Sequence, residues 1–177
     1  MHLLPLTLTL LSLGITPTTA ALTYTLEQSP SPTEDQSSAY TLIQSIMDAA
    51  IARHSRLGSA TKSLYVRYVP GVPTAEANYD GTISFGSNRA YMTERTALHE
   101  ISHTLGVGQT AAFEANCEQG DWPSANALVA GWDGAGTEIQ CGGGHFWPYG
   151  LNYESEWSET NGERNVLVVN AMLEDGM

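Results

Sequence analysis

Basic residues are scarce in this chain. Lys and Arg together number seven in 177 residues, and Lys62 is the sole lysine. Against 19 Asp and Glu they leave a formal net charge of −12. Nucleic acid and anionic membrane surfaces would repel such a protein, so neither is expected as a partner. Cysteine is almost absent too: Cys117 and Cys141 stand alone. Their spacing is not C-x-x-C, which disfavours a pair of metal thiolates, and in an exported chain an isolated pair closes a disulfide. That leaves no unpaired thiol to act as a latency switch. There is no Asn-x-Ser/Thr acceptor for N-glycosylation, and beyond the first twenty residues no apolar run is long enough to cross a bilayer.

What is present suits one globular domain with a proper core, since 42% of the residues are hydrophobic. Residues 1–20 read as a secretory signal peptide. The run Leu3 to Ile15 is too short for a membrane span, and Thr18-Thr19-Ala20 ends in a small residue suited to cleavage, although Lys and Arg are missing ahead of the run. The expectation is a secreted, extracellular monomer whose domain occupies residues 21–177. The stretch from Ala21 to Pro32 is too short for a folded inhibitory segment.

Hydrophobic periodicity gives the elements. Leu22 to Gln28 alternates as a strand and is broken by Ser29-Pro30-Ser31-Pro32. Thr33 with Gln36 forms a capping-box signature, and the helix it opens carries Tyr40, Ile43, Met47, Ala50 and Ile51 on one stripe before Gly58. His54, near its end, reads as a cap or a surface group. Lys62 to Val69 is the clearest strand. Ala75 to Tyr79, Asp80-Gly81 and Thr82 to Phe85 form a predicted hairpin. Thr93 is the expected N-cap of the following helix, with Glu94 at its positive end. A last helix is expected over Asn165 to Leu173, with Met172 as a core residue.

The helix opened by Thr93 contains His99-Glu100-Ile101-Ser102-His103. Histidines four residues apart share one helical face, so both imidazoles can reach a single ion. Glu100 leans over the same site, where it can take a proton from water activated by that ion. A catalytic zinc ion needs a third protein ligand and one open position. Gly106 ends the helix, and Val107-Gly108 lets the chain turn away. The residues leave the third ligand open among His145, the acids Glu114, Glu118 and Asp121, the amide Gln109 and His54. His145 follows Gly142-Gly143-Gly144 and precedes the rigid run Phe146-Trp147-Pro148-Tyr149, with Cys141 tethering its start. Tyr149 and Tyr153 are candidate hydrogen-bond donors to an oxyanion. Trp122, Trp132, Trp147 and Trp157 read mostly as core or loop anchors.

The order of strand, long helix, strand, hairpin and metal helix over roughly Leu22 to Gly108 resembles the N-terminal half of the zincin metallopeptidases. The pattern from His99 to Gly106 is similar to that of the metzincins, but Gln109 stands where their third ligand would fall. The segment His145-Phe-Trp-Pro-Tyr-Gly-Leu-Asn-Tyr153 looks like that of a group of secreted microbial zincin-like domains, and this resemblance favours His145 as third ligand. It implies an α+β fold: a single zincin-like domain with a small mixed sheet, a backing helix and an active-site helix. It also implies a secreted zinc endopeptidase acting on protein or peptide substrates, with Zn2+ held by His99, His103 and His145 and Glu100 as general base. Two alternatives stay open: a zinc amide hydrolase for a glycan-linked or other non-protein substrate, and a non-catalytic binding domain that retains the motif.

Overall fold

A computed structural model describes residues 21–177; the signal-peptide expectation falls on residues 1–20, outside the described residues. The fold is α+β, built on one mixed sheet with helices stacked over it.

Strand β1 (Leu22–Leu26) leads into the long helix α1 (Glu34–Leu57). The helix starts where the sequence demands: Thr33 Oγ1 accepts from the Gln36 amide, and the Gln36 side chain returns to the Thr33 amide. Two of the orphan donors at the helix start are satisfied in this way. Strand β2 (Lys62–Tyr68) then pairs parallel with β1, and β4 (Thr82–Phe85) pairs parallel with β2. Strand β3 (Ala75–Ala77) lies antiparallel to β4 as the expected hairpin. The sheet order is β1-β2-β4-β3, which leaves β3 on an edge.

Alternation decides the faces. Leu64, Val66, Ile83 and Phe85 are buried together with Ile43, Met47 and Ala50 of α1 and with Ala97, Leu98 and Ile101 of α2 (Glu94–Leu105). Helix α5 (Glu159–Glu174) closes this core with Val166, Val168, Val169 and Met172. It begins six residues before the expected Asn165 because Ser158 caps it, and Met172 is fully buried in it, as expected.

Arg53 of α1 joins the starts of two helices. Its guanidinium donates to Glu94 at 2.7 Å and to Glu159 at 2.6 Å, and it stacks over Trp157. Lys62, the one lysine, donates to the Thr104 carbonyl at 2.6 Å, a favourable place for a cation at the carbonyl end of α2.

Two helices escaped the sequence reading. These are α3 (Ala111–Gln119) and α4 (Pro123–Asp133). Helix α3 buries only Phe113, so it has almost no apolar stripe to detect. Helix α4 has no side-chain cap of its own; Asp175 supplies one from far along the chain, accepting from the Ser124 and Ala125 amides at 2.9 and 3.0 Å.

His54 is a further correction. It is not a surface or capping group but a core residue, 3% exposed, and among the described residues neither ring nitrogen has a hydrogen-bond partner. Burial pushes its pKa down to about 4. The unfolded chain, with an ordinary imidazole, therefore binds a proton between about pH 6.5 and 4 that the folded chain refuses. Stability present above that window should fall as the pH drops through it, by about 3 kcal/mol in total. Urea unfolding at pH 7 and pH 4 checks this. His54→Leu should remove that share of the loss, and an equal loss in the variant would assign the pH dependence elsewhere.

Candidate metal centre

The site is assembled from one helix and one small hairpin. On α2, Arg95, His99 and His103 follow at intervals of four residues, and Thr96 and Glu100 form the adjacent row. All five line one side of a cleft of about 830 Å³. The facing wall includes Thr74, Ala75, Glu76 and Ala77 of the β3 edge. The third side is the hairpin of β5 (Gln140–Gly142) and β6 (His145–Trp147), whose turn carries Gly143 and Gly144.

That hairpin docks on the end of α2. The helix stops at Gly106, where φ is 136°. Two residues on, Gly108 adopts φ of 65° and meets the Gly144 backbone so closely that a Cβ on Gly108 would lie 2.2 Å from the Gly144 oxygen. The residue after Gly144 is His145. A disulfide between Cys117 of α3 and Cys141 of β5 ties the other end of the same hairpin, as the isolated pair of cysteines implied.

The result is a three-histidine cluster. One ring nitrogen from each of His99, His103 and His145 lies within 4.8 Å of the others, and the ring centroids are 4.8 to 5.2 Å apart. The hydrogen bonds settle two tautomers. His99 Nδ1 is 2.9 Å from the Gly150 carbonyl, and His103 Nδ1 is 2.8 Å from the Val107 carbonyl. A carbonyl only accepts, so each Nδ1 carries the proton and each Nε2 keeps its lone pair. Those two Nε2 atoms face each other at 3.2 Å. Neither has a proton to offer the other, so the pair is matched to a shared cation rather than to a mutual hydrogen bond. Burial lowers the pKa of His99 to about 3 and also lowers that of His103. Both imidazoles are therefore neutral, as ligands must be. The three histidines are close enough to bind one metal ion.

Glu100 is 5% exposed and opens onto the same cleft. Burial pushes its carboxyl up to about 8; the Arg95 guanidinium opposes that shift and the Glu76 carboxylate adds to it. A dication beside it would favour the ionised form.

Of the alternatives to His145, neither His54 nor the acids Glu114, Glu118 and Asp121 join the cluster among the described residues. Gln109 lines the cleft wall, while Glu114 and Glu118 lie on α3 beside the disulfide, lining a separate, smaller hollow. Asp121 follows α3 and is exposed. Tyr149 is withdrawn from the cleft: its hydroxyl donates to Asp133 at 2.6 Å and accepts from Arg164, and Trp132 packs edge-on against its ring. Tyr153, 62% exposed, remains on the cleft rim.

Arg95 was missed in the sequence, although its spacing of four from His99 puts it on the ligand stripe. It is buried, donating to the Leu151 carbonyl at 2.6 Å and to Glu154 at 2.9 Å. It thereby holds the segment after β6 against α2. Gly150, whose carbonyl orients His99, belongs to that segment and carried no local signal.

Gly108→Ala should force the β5–β6 turn away and weaken metal affinity by about tenfold, the usual scale for disturbing a ligand's support. Competition against a chromogenic chelator measures it, and unchanged affinity would show that this contact does not place His145. Replacing Cys117 and Cys141 together by Ala should lower the unfolding free energy by about 3 kcal/mol, read from urea midpoints. Comparison with family models, with curated proteins and with solved structures finds no match for the chain.

Proposed function

We propose that the protein is a secreted zinc endopeptidase of zincin type. The observation that carries this reading is the convergence of His99, His103 and His145 with the buried Glu100, beside the open edge of a sheet. Three imidazoles in a compact set suit zinc, and no fourth histidine, cysteine or acid joins them among the described residues, which leaves a position for water and substrate. The disulfide supports export.

A zinc ion held there supplies a Lewis acid and brings the pKa of water near neutrality. The chain's own residues do the rest. Glu100, ionised beside the dication, takes the proton as the water oxygen attacks the carbonyl carbon. It returns that proton to the nitrogen as the C–N bond breaks, releasing an amine and a carboxylic acid, whose remaining proton then passes to the amine to leave a carboxylate and an ammonium. The Gly150 and Val107 carbonyls keep His99 and His103 in the ligating tautomer throughout. An extended peptide can add to the unpaired side of β3 and lie across the cleft. Of Tyr149 and Tyr153, only Tyr153 lines the cleft, which makes it the candidate donor to an oxyanion.

A second reading has one observation in its favour. Tyr91 and Tyr153 are exposed on the cleft rim, and exposed aromatic faces also suit sugar rings, so an amide hydrolase acting on a glycan-linked substrate is the alternative.

Digestion of a peptide library with and without a chelator separates the two readings. Cleavage of unmodified peptides that stops with the chelator supports the endopeptidase. Glu100→Gln should lose at least about a hundredfold in turnover while zinc content stays at one per chain. Retained activity in that variant would sink the mechanism. His145→Ala should lose the metal, as measured by elemental analysis.

A further inference from the structure

The register of the sheet says more about what the β3 edge can accept. Across β2, β4 and β3 two rows of side chains run perpendicular to the strands. Val66, Ile83 and Ala77 are register partners and belong to the core face. Arg67, Ser84 and Glu76 are the partners one residue along, and they lie on the opposite face. In this outer row the Arg67 Nε donates to Ser84 Oγ at 3.1 Å. Arg67 stands two strands from Glu76, about 10 Å away at ordinary strand spacing. Glu76 is exposed, and among the described residues it forms no ion pair. The charge row therefore reads cation, hydroxyl, anion, and ends at the open edge of the sheet.

A peptide strand added at β3 would extend both rows by one position. Its residues opposite Ala75 and Ala77 share the face that looks toward α2 and the histidine cluster. Its residue opposite Glu76 falls on the outer face, with Cβ atoms about 5 Å apart across the strands. Opposite charges in that relation attract and like charges repel. The small side chains of Ala75 and Ala77, by contrast, select little.

We infer that Glu76 is a specificity-determining residue, selecting a lysine or arginine in the substrate strand at the position paired with it. The occupant of this edge is thus an extended peptide carrying a cation, which is also the partner favoured by the net charge of −12. The inference rests on the part of the proposed reading that makes the β3 edge a groove for an extended peptide, and not on turnover there.

The test uses the zinc-loaded 21–177 chain carrying Glu100→Gln, with fluorescent twelve-residue Ala/Ser/Gly peptides in which a single Lys or a single Glu is moved along the sequence. Anisotropy should reveal one position where Lys binds about fivefold more tightly than Glu, a ratio set by one cross-strand charge pair. Adding Glu76→Lys should invert that ratio, and 0.5 M salt should compress it. Because Glu76 is exposed at an edge, an unchanged melting temperature in the variant controls for folding. Absence of peptide binding, or a Lys/Glu ratio unmoved by Glu76→Lys, overturns the inference. The same peptides incubated with the protein retaining Glu100 report hydrolysis separately. Binding selectivity without hydrolysis would sink the peptidase reading and leave the Glu76 assignment standing. Hydrolysis without Glu76-dependent selectivity would do the reverse.

Discussion

The contact between the Gly108 and Gly144 backbones is the constraint on which the three-histidine cluster depends. A helix can present two imidazoles to one ion by periodicity alone, but a third must come from elsewhere in the chain. Here it arrives because Gly108 lets backbone touch backbone, with no Cβ in the place of the Gly144 carbonyl. The end of α2 and the turn of the β5–β6 hairpin then sit close enough for His145 to face His99 and His103. Any Cβ at position 108 would occupy the place of the Gly144 carbonyl. The disulfide and Arg95 act on either side of this contact, the first tying one end of the histidine-bearing segment to α3 and the second holding its other end against α2.

The second feature is that two of the three histidines are oriented by main-chain carbonyls. Gly150 and Val107 accept from the Nδ1 protons and leave the Nε2 lone pairs pointed inward. A carbonyl cannot reverse this role, so the tautomer is imposed by the fold. The 3.2 Å separation of the two Nε2 atoms then has a simple account in a shared cation. Burial adds to it by keeping the imidazoles neutral, and the same burial would hold Glu100 protonated without a neighbouring positive charge. His99, His103 and Glu100 are thus matched electrostatically: a dication there would meet two neutral imidazoles and favour the ionised carboxylate.

Beside the histidine cluster, the sheet contributes an edge. Strand β3 is short and, among the described residues, unpaired on one side, and it forms one wall of the cleft. Exposed edges normally invite unwanted pairing, and a charge such as Glu76 is a common guard against it. In a groove that receives extended chains the same charge would discriminate among them, so protection and selection need not be separate functions.

Much of this was legible in the linear chain because local rules governed it. The capping box at Thr33, the alternation through β2, the Asp80-Gly81 turn and the histidine spacing on α2 all follow from interactions within a few residues. They were enough to anticipate the α+β order and the two helical histidines. Helices α3 and α4 were not legible, since one lacks an apolar stripe and the other is capped by Asp175 from far along the chain. His54 was misjudged because its surroundings come from tertiary packing. The choice among His145, Glu114, Glu118, Asp121 and Gln109 was likewise a tertiary matter. Spacing on one helix determines which of its residues share a face, but only the docking of a distant turn decides what meets that face.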